Sequence, residues 1–330
     1  NKLHSIETLG CTTVICTDKT GTVTENKMTV TELHTVGNSY FFSGMGYHIN
    51  GSVNKGTDNT PINPRYEKPL CEAVQCGVIC STAEISADIQ PKSRKRGTLT
   101  GGGEWKVTGD PTEAALLVAA AKSGVTRESL NYRKKAEFPF DSESRFMAVH
   151  CTVGNEERTY YKGAAEVILP RCSQYIGTNG DILPMNTVIR NELERRVGEM
   201  SDNALRVLAL AFCVSDKLDA ERGNLVFLGL AGMTDPPREE AKTAIRKCAA
   251  ASVKTVMITG DHKKTAAAIA KKAGLLKGGK VMTGAELDRI SDDELDRIIG
   301  NYTVFARTEP VHKLRIVRSF KRRGEIVTMT

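Results

Sequence analysis

The chain has 330 residues, 40% apolar and 26% charged, with a net charge of +7 and nine cysteines. That balance suits globular domains with their own cores and excludes wholesale disorder. The longest apolar run, residues 225–233, is far below the roughly 18–20 residues of a bilayer span, and the first residues do not read as a signal peptide. Neither basic run, 92–96 or 313–323, interleaves aromatics with base-reading side chains, which argues against a nucleic-acid partner.

In chain order, residues 12–17 read as a strand buried on both sides, because they are apolar and β-branched without alternation. From about 31 to 230 the pattern becomes mixed. Helices are expected over 68–83, 112–122 and 189–200, and alternating strands over 147–153 and 158–162. Stretches 37–69 and 83–105 read as loops and turns, with the basic run 92–96 beside Gly101, Gly102 and Gly103 as a solvated loop. Cys71, Cys76 and Cys80 share the first helix at spacings that suit a buried face, and no histidine or fourth cysteine stands at metal-site spacing. An odd, unpaired set of cysteines points to free thiols in a reducing compartment.

The last hundred residues alternate cleanly. Strands are expected over 253–258, 280–282, 302–306 and 325–329. Helices are expected over 264–273, closed by Gly274, over 291–299, opened by Ser291 and Glu294 after a turn at 286–289, and over 311–323, closed by Gly324. Such repetition builds a parallel sheet with helices on both faces. The first thirty residues belong to it, so residues 1–30 and 231–330 form one discontinuous α/β domain, doubly wound. Residues 31–230 form an inserted α+β domain with an antiparallel sheet.

Asp18 closes the first strand, and Asp261 follows the strand at 253–258. Ligands of open α/β sheets bind beyond the carboxyl ends of the strands, so both segments would border one crevice. A carboxylate there can attack phosphorus, the amides of a following glycine turn can hold phosphate oxygens, and a cation such as Lys313 can offset the charge. An aspartate alone at a strand end is more often a helix cap; two such strands and a lysine converging weaken that alternative.

The run Asp18-Lys19-Thr20-Gly21-Thr22-Val23-Thr24 closely resembles the phosphorylation signature of P-type cation-transporting ATPases, DKTGT plus a hydrophobic residue and threonine. Other segments stand in that family's order. Lys162-Gly163-Ala164 resembles its KGA element, Asp235-Pro236-Pro237-Arg238 its DPPR element and Thr259-Gly260-Asp261 its TGD element. Residues 306–313, with Arg307 and Lys313, resemble its lysine-bearing segment. The resemblance covers essentially the whole chain. It implies a haloacid dehalogenase-like phosphorylation domain carrying an inserted nucleotide-binding domain.

The resemblance also implies roles. Asp18 is the nucleophile that takes the γ-phosphate of ATP, and Thr20 helps hold the phosphoryl group. Asp18 and, through its carbonyl, Thr20 bind Mg2+. Thr259 and Gly260 contact phosphoryl oxygens, Asp261 organises the loop and Lys313 supplies positive charge, while Asp235 and Arg238 lie at the domain junction. For the nucleotide, Phe140 is the adenine-stacking aromatic, a role its face suits. Glu113, with Asp110 and Thr112, lies near the adenine amino group, and Lys162 and Gly163 line the pocket. Arg145, with Met147 just beyond it, stands where many relatives carry lysine, a change of phosphate-contact geometry. Arg206 and Arg307 match arginines of the nucleotide site.

The segments 7–13 and 24–30 and the sequence Phe140-Asp141-Ser142 resemble the calcium pumps of the endoplasmic reticulum or secretory-pathway type and their bacterial relatives. Calcium is therefore the expected ion, with a sodium/potassium-type pump as the alternative. A haloacid dehalogenase-like phosphatase is the other alternative. Such enzymes usually carry an acid/base aspartate two residues after the nucleophile, where this chain has Thr20, and its absence suits a stored phosphoryl intermediate. The family's GDGVND-type magnesium segment would follow Thr330, and its actuator domain and ion-binding membrane helices are not among these residues. The expectation is a soluble, cytoplasmic-side fragment of an integral membrane pump, binding ATP weakly and turning it over poorly.

Overall fold

The computed structural model describes residues 10–44, 46–48, 50–56, 58, 60–87 and 105–330. The basic run 92–96, the glycines 101–103 and the first three residues of the segment 7–13 lie outside the described residues. The chain divides into two units. One comprises the described residues of Asn1–Asn26 with Asp202–Ala204 and Asp235–Thr330; the other comprises those of Lys27–Ser201 and Leu205–Thr234.

The first unit is built on a five-stranded parallel sheet. Its strands run in the order Lys280–Thr283, Tyr302–Ala306, Lys254–Ile258, Val14–Asp18, Val327–Met329. Successive side chains of a strand point to opposite faces, and both faces here are apolar. Val256, Ile258 and Phe305 join Leu287, Leu295, Ile316 and Phe320 on one face. Met257, Val304 and Ala306 join Ile245, Ile269 and Ala273 on the other. That is why these strands show no alternation of apolar and polar residues. The helix Lys263–Ala273 ends where its glycine predicts, with Gly274 at φ 80°. The expected turn at 286–289 is instead largely helix, Gly284–Asp288, because Thr283 and Glu286 cap each other reciprocally.

The second unit carries a sheet of eleven strands among the described residues. Its main path runs Thr60–Pro61, Val53–Lys55, Asn38–Phe42, Thr29–Thr35, Leu225–Thr234, Arg206–Val214, Glu156–Ala164, Phe146–Val153, Tyr132–Phe138. All these pairs are antiparallel, but Cys172–Ile176 pairs in parallel with Leu225–Thr234. The long apolar run is thus the central strand, buried along nearly its whole length. Stretch 37–69, expected as loop, holds three short strands and a single turn of helix. In stretch 83–105, Glu84–Ala87 pairs with Trp105–Thr108.

Both faces of this sheet are covered as well. Met147, Val149, Cys151 and Tyr160 pack with the helices Lys68–Ile79 and Pro111–Lys122. Phe146, Ala148 and Tyr161 pack with residues of Ala165–Ile168 and Thr187–Asp202. The strand expected to alternate over 147–153 is therefore buried on both sides. No helix among the described residues is long and apolar enough to cross a membrane.

Candidate active site

In the first unit, Asp18 ends the strand Val14–Asp18 at the carboxyl edge of the parallel sheet. Lys313 stands in the first turn of the helix Pro310–Arg322, and its Nζ lies 2.5 Å from Asp18 Oδ2. These residues are 295 positions apart in sequence. A charge-assisted contact of this kind places a fixed cation on the carboxylate.

The chain leaves Asp18 through a tight turn. Thr20 is exposed and extended, and Gly21 takes φ 76°, a left-handed conformation that glycine adopts without steric penalty. The turn is held from behind. Arg238 donates from Nε to the Thr24 carbonyl at 3.0 Å and from its terminal nitrogen to the Gly21 carbonyl at 3.2 Å. Thr24 donates its hydroxyl proton to Asp235 Oδ2 at 2.6 Å. Asp235 and Arg238 thus meet the turn that follows Asp18.

Lys19 has no role of its own in the sequence reading, yet it is the buried centre of this bracing. Its ammonium lies 3.1 Å from Asp261 Oδ2 and 3.9 Å from Asp235 Oδ2. It ties together three segments distant in sequence. Thr259 accepts the Asp261 amide on its hydroxyl at 3.1 Å, and its carbonyl accepts both the amide and hydroxyl of Thr308. Gly260 is exposed, and a Cβ there would lie 4.0 Å from the Thr308 carbonyl oxygen, an ordinary contact. Arg307, at φ 52°, donates its amide to the Asp261 carbonyl at 2.9 Å and leaves its side chain exposed. The structure thus gathers Asp18, Lys313, Lys19, Asp235 and Asp261 by direct contacts, with Thr259 and Arg307 fixed to Asp261.

In the second unit, register brings the other candidates to one end of the sheet. Lys162 pairs with Met147 and Leu210, Gly163 with Phe146 and Ala209, and Phe138 with Ala148. Arg206 opens its strand at this same end and donates to Thr112 Oγ1 at 3.1 Å. Asp110 caps the helix Pro111–Lys122, its carboxylate accepting the amides of Thr112 and Glu113 at 2.8 and 3.1 Å.

Glu113 and Lys162 are the buried core of this cluster. Lys162 Nζ lies 2.9 Å from Glu113 Oε1 and also donates to the Cys80 carbonyl. The other carboxylate oxygen accepts the Thr82 amide at 2.6 Å, the Thr82 hydroxyl at 2.9 Å and the Ala83 amide at 3.0 Å. Burial alone would raise the Glu113 carboxyl, but Lys162 and the two amides outweigh it and hold the group below the usual carboxylate range. Thr82 and Ala83 carried no signal in the sequence, which placed both inside the helix expected over 68–83; that helix ends at Ile79, and the two residues follow it.

Phe140 stands 60% exposed beyond the strand Tyr132–Phe138. Arg145 is exposed at φ 58°, and its guanidinium pairs with Glu166 at 2.8 Å. Met147, the strand partner of Lys162, is buried in the core. Gly163 permits close approach of two strands, because a Cβ there would lie 2.7 Å from the Arg145 carbonyl oxygen and would also collide with Phe146.

A family model described as P-type ATPase, cytoplasmic domain N, matches residues 70–240. A calcium-transporting ATPase of Bacillus subtilis (strain 168) is 40% identical over 340 residues, covering 100% of this chain and 36% of the relative. The calcium-transporting ATPase type 2C member 1 of Homo sapiens is 36% identical over 335 residues, covering 100% of this chain and 34% of the relative. A probable cation-transporting ATPase F of Mycobacterium tuberculosis (strain ATCC 25618 / H37Rv) is 36% identical over 342 residues, covering 100% and 36%. The chain therefore spans about a third of the length of the curated relatives it matches.

Proposed function

This chain belongs to the P-type ATPase family, and from that premise we propose that it is the ATP-binding and phosphoryl-accepting part of a calcium pump. The observation that carries the reading is the contact of Lys313 with Asp18 at the carboxyl end of a parallel strand, beside the exposed turn at Thr20 and Gly21. The parallel unit, with an aspartate at that position, supports a haloacid dehalogenase-like phosphorylation domain over 1–30 and 231–330. The family match to residues 70–240 supports a nucleotide-binding domain over 31–230. Relatives named calcium-transporting at 36–40% identity support calcium as the ion.

In the proposed reaction, an Asp18 carboxylate oxygen forms a bond to the γ-phosphorus of ATP. The bond from that phosphorus to the β,γ-bridging oxygen breaks, and ADP leaves with the electron pair. Lys313 would offset charge as it develops on the phosphoryl oxygens, and the Thr20–Gly21 turn and the Thr259 hydroxyl would donate to them. Thr20 stands where a second aspartate would serve water attack, so the acyl phosphate persists. Phe140 would stack on adenine, and Arg206 with Thr112 would meet the phosphate chain. Lys162 and Glu113 would hold the floor of that site through their mutual pair.

Hard oxygen donors suit magnesium, which keeps several waters beside one or two carboxylates. The Asp18 carboxylate and the Thr20 carbonyl are such donors, and both sit at the exposed turn. Bound there, Mg2+ would lower the charge on the transferring phosphate.

The test is acid-quenched labelling of the full-length pump with γ-labelled ATP. A hydroxylamine-labile phosphoenzyme is expected, absent in Asp18→Asn and dependent on calcium. Label that survives Asp18→Asn would remove the proposal's nucleophile; label indifferent to calcium would remove its ion.

A further inference from the structure

His312, the neighbour of Lys313, is buried, and its ring is held at both nitrogens. Nδ1 accepts the backbone N–H of Glu309 at 2.9 Å. Nε2 lies 2.9 Å from Asp288 Oδ1. A ring nitrogen that accepts an N–H carries no proton, so the neutral ring bears its proton on Nε2 and donates it to the Asp288 carboxylate. The ring also has a fitted seat. A Cβ on Gly284 would lie 2.8 and 2.9 Å from the ring atoms Cε1 and Nδ1. Gly284 and Asp288, four residues apart on the short helix Gly284–Asp288, thus hold the ring by contact and by hydrogen bond.

We propose that His312 is the positioning residue for Lys313: its ring, locked as the Nε2–H tautomer between Glu309 and Asp288, sets the rotation of the helix's first turn. Successive helical residues are turned by about 100° about the axis. Directing residue 312 into the Gly284 seat therefore fixes the direction in which residue 313 leaves the helix, toward Asp18. The bond to the Glu309 amide also satisfies a donor that the start of the helix leaves without an intrahelical partner. Further along the helix, Arg315 is held by Asp292 and by the carbonyls of Leu287 and Ile290, and Ser319 by Asp296. Those contacts anchor later turns, while at the first turn the Glu309 side chain accepts the His312 backbone N–H and completes a capping box with the ring. The inference deepens the proposed function and rests on Lys313 being the charge partner of Asp18.

The experiment is nitrogen-15 NMR on the 330-residue chain. The His312 ring is expected to show an unprotonated Nδ1 and a protonated Nε2. The Lys313 ammonium should give a slowly exchanging signal, identified by its loss in Lys313→Met. That signal should disappear in His312→Ala and persist in His312→Gln, whose side-chain oxygen can still accept the Glu309 amide as in a capping box. A ring protonated at Nδ1 would overturn the proposal, as would an ammonium signal indifferent to His312→Ala or missing from the unaltered chain. The ring measurement needs no substitution, so it decides the matter even if His312→Ala does not fold. Neither readout requires phosphorylation, so a failure of the labelling experiment and a failure here are separate results.

Discussion

Glu113 and Lys162 form an ion pair with both side chains almost out of solvent, 11% and 6% exposed. Removing one partner of a buried pair leaves the other charge uncompensated and typically costs about 3–5 kcal/mol. Glu113→Gln and Lys162→Met should each destabilise the chain by about that much, measured as a shift of the denaturant midpoint. The double substitution should cost less than the two single losses added. Additive losses would show that the pair is not coupled.

The same pair gives a pH dependence. The folded Glu113 carboxyl lies below its ordinary value of 4.5, so between the two values the unfolded chain binds more protons than the folded one. This contribution is fully present above about pH 4.5 and is lost as pH falls through the lowered folded value. Stability curves of the unaltered chain and Glu113→Gln should therefore converge as pH falls below 4.5. A difference that stays constant down to acid unfolding would contradict the assignment.

Lys19 binds Asp261 and Asp235 behind the turn that follows Asp18. The Asp261 side chain is 29% exposed, so the cost of Lys19→Met is discounted to about 1–3 kcal/mol. The loss should be local as well. Amide hydrogen exchange at Thr24 and Asp261 should quicken, while the strands of the larger unit keep their protection. Unchanged exchange at both amides would mean that Lys19 does not brace these loops.

The parallel unit was largely legible because its strands are short apolar runs and its helices end at Gly274 and Gly324. The strands Asn38–Phe42, Val53–Lys55 and Thr60–Pro61 were not, since Asn38, Asn54 and Pro61 are poor strand residues. They form by pairing outward from Thr29–Thr35. At the site, Asp18 and Lys313 stood out through their motifs. Lys19 and His312 did not, because adjacent polar residues in a sequence do not disclose which side chain turns inward. Two-sided burial likewise erased the alternation expected over 147–153, within the observed strand Phe146–Val153.

Gly163 faces Phe146 across two adjacent strands, where even a methyl group would meet the Phe146 side chain and the Arg145 carbonyl. Gly163→Ala should cost about 1–3 kcal/mol, the usual range for overpacking a close contact. Thermal unfolding of the chain measures it. A stability equal to that of the unaltered chain would mean the two strands can separate without penalty.

Phe140 makes the opposite case, because its ring is 60% exposed. Replacing an exposed side chain usually changes stability by no more than about 0.5 kcal/mol, whereas losing a stacking platform for a base costs about 1–3 kcal/mol of binding. Phe140→Ala should thus leave the unfolding midpoint in place while weakening ATP binding by about 5- to 150-fold. Titration of the 330-residue chain with magnesium-free ATP, followed by chemical shifts, reads both affinity and location. Phe140→Leu, which keeps apolar bulk without the aromatic face, should recover only part of the loss. If Phe140→Ala binds ATP as well as the unaltered chain, adenine does not stack there, and the exposed ring has some other occupant.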